Sequence, residues 1–161
     1  MFSLEGKVAL VTGSSKGIGK AIIEQMANAG AKVVVSSRKA DACEAVRAEF
    51  AARGQEAIAV PCNVGQKEEL KKLVDTVTAK WGRIDILVCN AATNIRTDFA
   101  RALWEDETRR KAREALTPLR RIGEPKDIGG IAVFLASEAG SFITGQMIVA
   151  DGGVTIAGER G

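Results

Sequence analysis

The chain has 161 residues, 46% of them hydrophobic and 27% charged, and a formal net charge of +3. These values describe one soluble globular domain that can bury a core without disulfides or a structural metal, and the charge is too small to point to nucleic acid. The chain has no histidine, which excludes a Ser-His-Asp triad, a histidine zinc site and an imidazole acid or base, and it has no tyrosine, which excludes a phenolic acid.

The first residues, Met-Phe-Ser-Leu-Glu-Gly-Lys, contain no apolar signal region. Short continuous apolar runs then start at Val8, Val33, Ile58 and Ile84. Runs without polar alternation predict strands covered on both faces, as in a parallel sheet. Helical patterns separate them: Ile18, Ile22 and Met26; Ala42, Val46 and Phe50; and Leu70, Leu73, Val74, Val77 and Trp81. Gly30, Gly54 and Gly82 follow these helices where left-handed caps are expected. Strand and helix alternating three times into a fourth strand predicts a doubly wound α/β layout.

After Asn94 the rhythm stops. Residues 97–117 are charged and helix-prone, with Phe99, Leu103 and Leu116 as expected buried points. Pro125 marks the start of a further helix, whose inner face is expected to be Ile128, Ile131, Ala132 and Leu135. Met147–Ala150 is a candidate fifth strand. Cys43, Cys62 and Cys89 are odd in number and widely spaced, and read as small buried residues of a reducing compartment. No apolar run is long enough to span a membrane and the final Gly-Glu-Arg-Gly is not a peroxisomal address, so a cytoplasmic location is expected. No metal-ligand set is expected.

The chemistry is concentrated at the first turn. Gly13-x-x-x-Gly17-x-Gly19 follows the first predicted strand and opens the first predicted helix. Gly13 suits the tight turn, Gly17 lets backbone N–H groups approach a pyrophosphate, and Gly19 permits close packing of helix on strand. A Walker loop is excluded, because Gly-Lys-Ser/Thr is missing from the required place. A carboxylate about 20 residues beyond the glycines would bind a ribose 2′-OH. Ser36-Ser37-Arg38-Lys39 stands there instead, and Asp41 lies too late. A guanidinium can grip a 2′-phosphate with charge-assisted bonds, and Lys16 can add a second positive charge. The expected cofactor is NADP(H).

Residues 12–19, "TGSSKGIG", resemble the signature of the short-chain dehydrogenase/reductase family. Cys62-Asn63-Val64 is similar to that family's adenine-contacting Asp-Val, with Asn63 in place of Asp, and Cys89-Asn90-Ala91-Ala92 to its Asn-Asn-Ala-Gly. Ile95-Arg96-Thr97 resembles the Ile-x-Thr after the sixth strand, whose Thr meets the nicotinamide carboxamide. "RIGEPKDI", "FLAS", "ITGQ" and Asp151-Gly152-Gly153 resemble the C-terminal quarter. The resemblance implies one Rossmann-type domain over residues 1–161, a small carbonyl or alcohol substrate, and hydride transfer. It is nearest to bacterial NADP(H)-dependent carbonyl reductases, and it also implies self-association. The cofactor-binding residues it implies are Gly13, Ser15, Lys16, Gly17, Ile18, Gly19, Ser37, Arg38, Asn63, Val64, Asn90, Ala91, Ala92 and Thr97.

No catalytic residue can be carried over. The family's Tyr-x-x-x-Lys has no match, and the matching motifs jump from the fourth strand to just past the sixth between Asn94 and Ile95. Either the active enzyme contains a middle that this sequence lacks, or a deletion has left an inactive dinucleotide-binding or interaction remnant. A shortened chain would leave the apolar 86–88 edge bare, so Met147–Ala150 is expected to pair with it in a five-stranded parallel sheet.

Overall fold

The computed structural model describes residues 1–90 and 105–157. Their main elements in chain order are β1 (Val8–Thr12), α1 (Gly17–Asn28), β2 (Lys32–Ser36), α2 (Ala40–Ala52), β3 (Ala57–Ala59), α3 (Lys67–Trp81), β4 (Ile86–Val88), α4 (Glu107–Leu116) and α5 (Pro125–Ala136). The four strands form one parallel sheet in the order β3-β2-β1-β4. Val8–Thr12 pairs in register with Lys32–Ser36, and Ala9–Val11 with Ile86–Val88. The chain therefore steps outward from β1 through β2 to β3, then returns to the other side of β1. That reversal opens a crevice beside the carboxyl end of β1.

The central strands are covered on both faces, as their unbroken apolar runs predict. Ala9, Val11, Val33 and Val35 meet α1 residues Ile18, Ile22, Ile23 and Met26 together with Cys43, Val46 and Phe50 of α2. On the opposite face Val8, Leu10 and Val34 pack with Leu73 and Val77 of α3. Each large side chain buried this way contributes roughly 1.5–3 kcal/mol. Gly30, Gly54 and Gly82 adopt positive φ beyond α1, α2 and α3, as expected. No helix among the described residues is long and apolar enough to cross a membrane.

Several sequence expectations shift by a residue or a face. The buried stripe of α2 begins at Cys43 rather than Ala42, and Val74 of α3 is exposed. In α5, Ile128, Ala132, Val133 and Ala136 pack on the core while Leu135 is exposed. Docking of α5 on α1 sets that face, and Gly129 makes the approach possible. A Cβ there would stand 2.8 Å from Gln25 Cγ and 3.1 Å from the Ala21 carbonyl oxygen. Leu116 is 74% exposed because α4 is held by its own polar contacts: Asp106 caps it through Arg109 N–H, and Arg110 pairs with Glu114. Phe99 and Leu103 lie outside the described residues.

The five-stranded sheet is not formed. Residues 147–150 carry no strand and make no ladder with 86–88. Met147 and Val149 are 89% and 58% exposed, and Leu87 of β4 is 62% exposed. Their apolar character expresses a demand for burial but supplies no partner edge. The adjoining turn, residues 151–155, is anchored to the segment after α4. Leu119 N–H donates to the Gly152 carbonyl, and the Asp151 carboxylate accepts from Gly153 and Thr155 N–H groups. A Cβ on Gly152 would stand 2.7 Å from Thr117 Cγ2, so this turn packs closely on the segment after α4.

Candidate functional site

The glycine turn is laced to strands on both sides. The Thr12 hydroxyl donates to the Val88 carbonyl (3.3 Å) and accepts from Asn90 N–H (3.4 Å), joining the carboxyl ends of β1 and β4. On the other side Ser14 N–H donates to the Ser36 carbonyl (3.0 Å), and Ser14 Oγ accepts from Ser36 N–H (2.9 Å). Gly13 and Gly17 have φ of 68° and 58°, a region that side-chain-bearing residues rarely enter. A Cβ on Gly19 would collide with the Gly13 carbonyl and come within 3.0 Å of Asn90 Nδ2. Turn, helix and β4 therefore touch through backbone and one amide.

This packing brings the start of α1 to the crevice. Its N-cap is Lys16 in extended conformation, with no side-chain capping bond and no acidic residue in the first turn. Such a terminus attracts an anion through its free N–H groups and helix dipole. Ser15 is half-buried and Lys16 exposed. The Ile18 side chain is buried in the core, which leaves its backbone for a ligand.

Arg38 and Lys39 follow the end of β2, exposed. Lys16, Arg38 and Lys39 make no ion pair among the described residues, whereas Lys20 is engaged by Glu49 at 2.7 Å. Half-buried Ser37 places its hydroxyl against Cys43 Sγ. Past β3, Asn63 N–H donates to Glu69 Oε2 (2.7 Å), and its Oδ1 accepts from Gly65 N–H (3.1 Å), which fixes the amide while leaving acceptor capacity. Val64 is 55% exposed. Asn90 is half-buried on the glycine turn, and Ala91, Ala92 and Thr97 lie outside the described residues.

Cys43 and Cys62 are buried as expected, but Cys89 is exposed, because it stands beyond the end of an edge strand. Burial, then the nearby Glu69 charge, pushes the Cys62 thiol up from its ordinary value. Sequence reasoning misses the roles of Thr12 and Ser14, which tie the turn down. Their signal is present, as hydroxyls flanking the first glycine of a strand-to-helix turn.

The chain matches the family model for short chain dehydrogenase over residues 7–147. It is 28% identical over 244 residues to dehydrogenase/reductase SDR family member 4 of Bos taurus, covering 93% of this chain and 88% of the relative. It is 36% identical over 152 residues to short-chain dehydrogenase/reductase SDRA of Arabidopsis thaliana, covering 89% of this chain but 58% of the relative. An alignment of 244 residues exceeds the 161 present, so the bovine relative carries internal sequence with no counterpart here. The fold is similar to that of gluconate 5-dehydrogenase from Burkholderia cenocepacia J2315, solved with NADP and tartrate. The TM-score is 0.88 at 22% identity, over 96% of this chain and 97% of that one. With its parallel sheet, its glycine turn at the switch point and a family match over most of its length, the chain belongs to the short-chain dehydrogenase/reductase family of oxidoreductases.

Proposed function

We propose that this chain is the NADP(H)-binding domain of an oxidoreductase that acts on a small carbonyl or alcohol. The local geometry fits a phosphorylated dinucleotide. Gly13, Ser15, Gly17, Ile18 and Gly19 would receive the pyrophosphate through backbone groups, and Gly19 keeps the space that any Cβ would fill. Asn63 and Val64 would hold the adenine, with Asn90 and, by family resemblance, Ala91, Ala92 and Thr97 toward the nicotinamide.

The observation that carries the NADP(H) preference is the pair Lys16 and Arg38. Both are exposed, and neither is matched by a described carboxylate. No acidic side chain occupies positions 36–39 to repel a 2′-phosphate. When bound, the cofactor would supply the hydride to a carbonyl in its reduced form or accept it from an alcohol in its oxidised form. This chain's residues bind and orient it, while the proton donor that the family resemblance requires has no candidate in a sequence without tyrosine. The internal sequence carried by the bovine relative supports placing that donor in a central segment.

Calorimetric titration of NADPH and NADH into the parent chain and Arg38→Asp tests the preference. Tighter NADPH binding is expected in the parent and a reversed order in the variant, through loss of a charge-assisted contact and added repulsion. Equal affinities in the parent would overturn the preference.

A further inference from the structure

The outer side of β4 and residues 147–150 have complementary needs. Among the described residues β4 pairs with β1 alone, so the backbone groups along its other side stand open, with Leu87 exposed beside them. Such an edge is a template for a further strand. Residues 147–150 make no backbone hydrogen bond to a described residue, and Met147, Ile148 and Val149 are all exposed. Isoleucine and valine favour strands, where backbone groups find partners as the side chains are buried.

Within one copy the two do not pair. The turn that follows is tied instead to the segment after α4, with Leu119 N–H donating to the Gly152 carbonyl at 3.2 Å, and this leaves 147–150 presented at the surface. A second copy supplies what each lacks, an edge for 147–150 and a strand for β4. We propose that two copies of this chain join by reciprocal strand addition, residues 147–150 of each lying along the outer side of β4 in the other. The exchange is self-complementary, as a two-fold pair requires. A segment of four residues also matches an edge strand of three. Main-chain bonds hold each contact, and the apolar side chains on both strands are covered together.

Sedimentation equilibrium of the full chain across micromolar concentrations tests this, and a monomer–dimer equilibrium is expected. Leu87→Lys and the double variant Ile148→Pro/Val149→Pro should each weaken the dimer by about tenfold or more, because either change strikes both contacts of the pair. Adjacent N–H groups of a strand point to opposite sides, so the two prolines remove a ladder donor in either register. Neither variant removes a buried side chain or a described backbone bond of the single copy, so circular dichroism should be unchanged. Amide hydrogen exchange locates the contact: protection at 86–88 and 147–150 should rise with parent concentration and fail to rise in the variants. Phe142→Ser is the control, since Phe142 is fully exposed but outside both strands, and it should leave the dimer intact. A parent that stays monomeric, or a dimer that survives either strand variant, would overturn the proposal. So would a dimer that Phe142→Ser weakens equally, or one without added protection at those two segments.

Discussion

A side chain on Gly19 would collide with the Gly13 carbonyl, its Cβ 2.8 Å from the Gly13 carbonyl carbon, so the first turn of α1 and the glycine turn must part to admit even a methyl group. Gly19→Ala is therefore expected to cost on the order of 1–3 kcal/mol and to weaken NADPH binding. Gly54 is the control: its φ of 70° strains any side chain, but nothing lies within 4 Å of its Cβ position. Gly54→Ala should lose roughly 1–2 kcal/mol with cofactor affinity intact. Denaturant unfolding and NADPH titration of both variants check this, and full affinity in Gly19→Ala would refute it. The glycine spacing was legible in sequence because a tight strand-to-helix turn, with positive φ at Gly13 and Gly17, constrains the backbone locally. The Ser14–Ser36 bonds were not, since they join residues 22 apart only once β1 and β2 have paired.

At the level of elements, Asp85 fastens the start of β4 to β1. Its carboxylate accepts from Val8 N–H at 2.9 Å, its own N–H donates to the Val8 carbonyl at 2.9 Å, and Arg83 Nε donates to it at 2.9 Å. Burial pushes the Asp85 carboxyl up, but the Arg83 guanidinium and the Val8 N–H, with the charges of Arg83 and Lys7, outweigh it and hold it below the ordinary value of 3.8. A carboxyl depressed in the folded state adds stability that is fully present above its unfolded value and is lost as pH falls through the folded one. The stability gap between the parent and Asp85→Asn should thus be full near neutrality and close below pH 3.8. Urea unfolding of both proteins across that range measures it, and a pH-independent gap would contradict the linkage. Periodicity located α3 and α5 in sequence, and charged, helix-prone composition located α4, yet neither could say that Val74, Leu116 and Leu135 face outward. A helix buries the side its neighbours happen to cover.

On the scale of the whole molecule, β4 is an edge strand of three residues, and no described segment pairs with its outer side. The chain holds the glycine turn, Asn63 after β3 and the basic turn, but no tyrosine to pass a proton. Protein confirmed at 17.0 kDa is therefore expected to bind NADPH and to show no carbonyl-dependent oxidation of it. A panel of ketones and aldehydes followed by NADPH absorbance checks this, and turnover by that species would show that another residue serves as the acid.

The sequence alone determined the strand-helix alternation, the glycine turn at the end of β1 and the basic residues after β2. Each is set by spacing within a few residues or by chemistry at one position. It also determined that these 161 residues offer no phenol and no imidazole. Only the tertiary structure decided the order β3-β2-β1-β4, the docking of α5 on α1 through Gly129, and the fate of Met147–Ala150. Apolar content states how strongly a segment favours burial. Which surface meets it depends on the whole chain, and the edge of β4 and residues 147–150 do not pair.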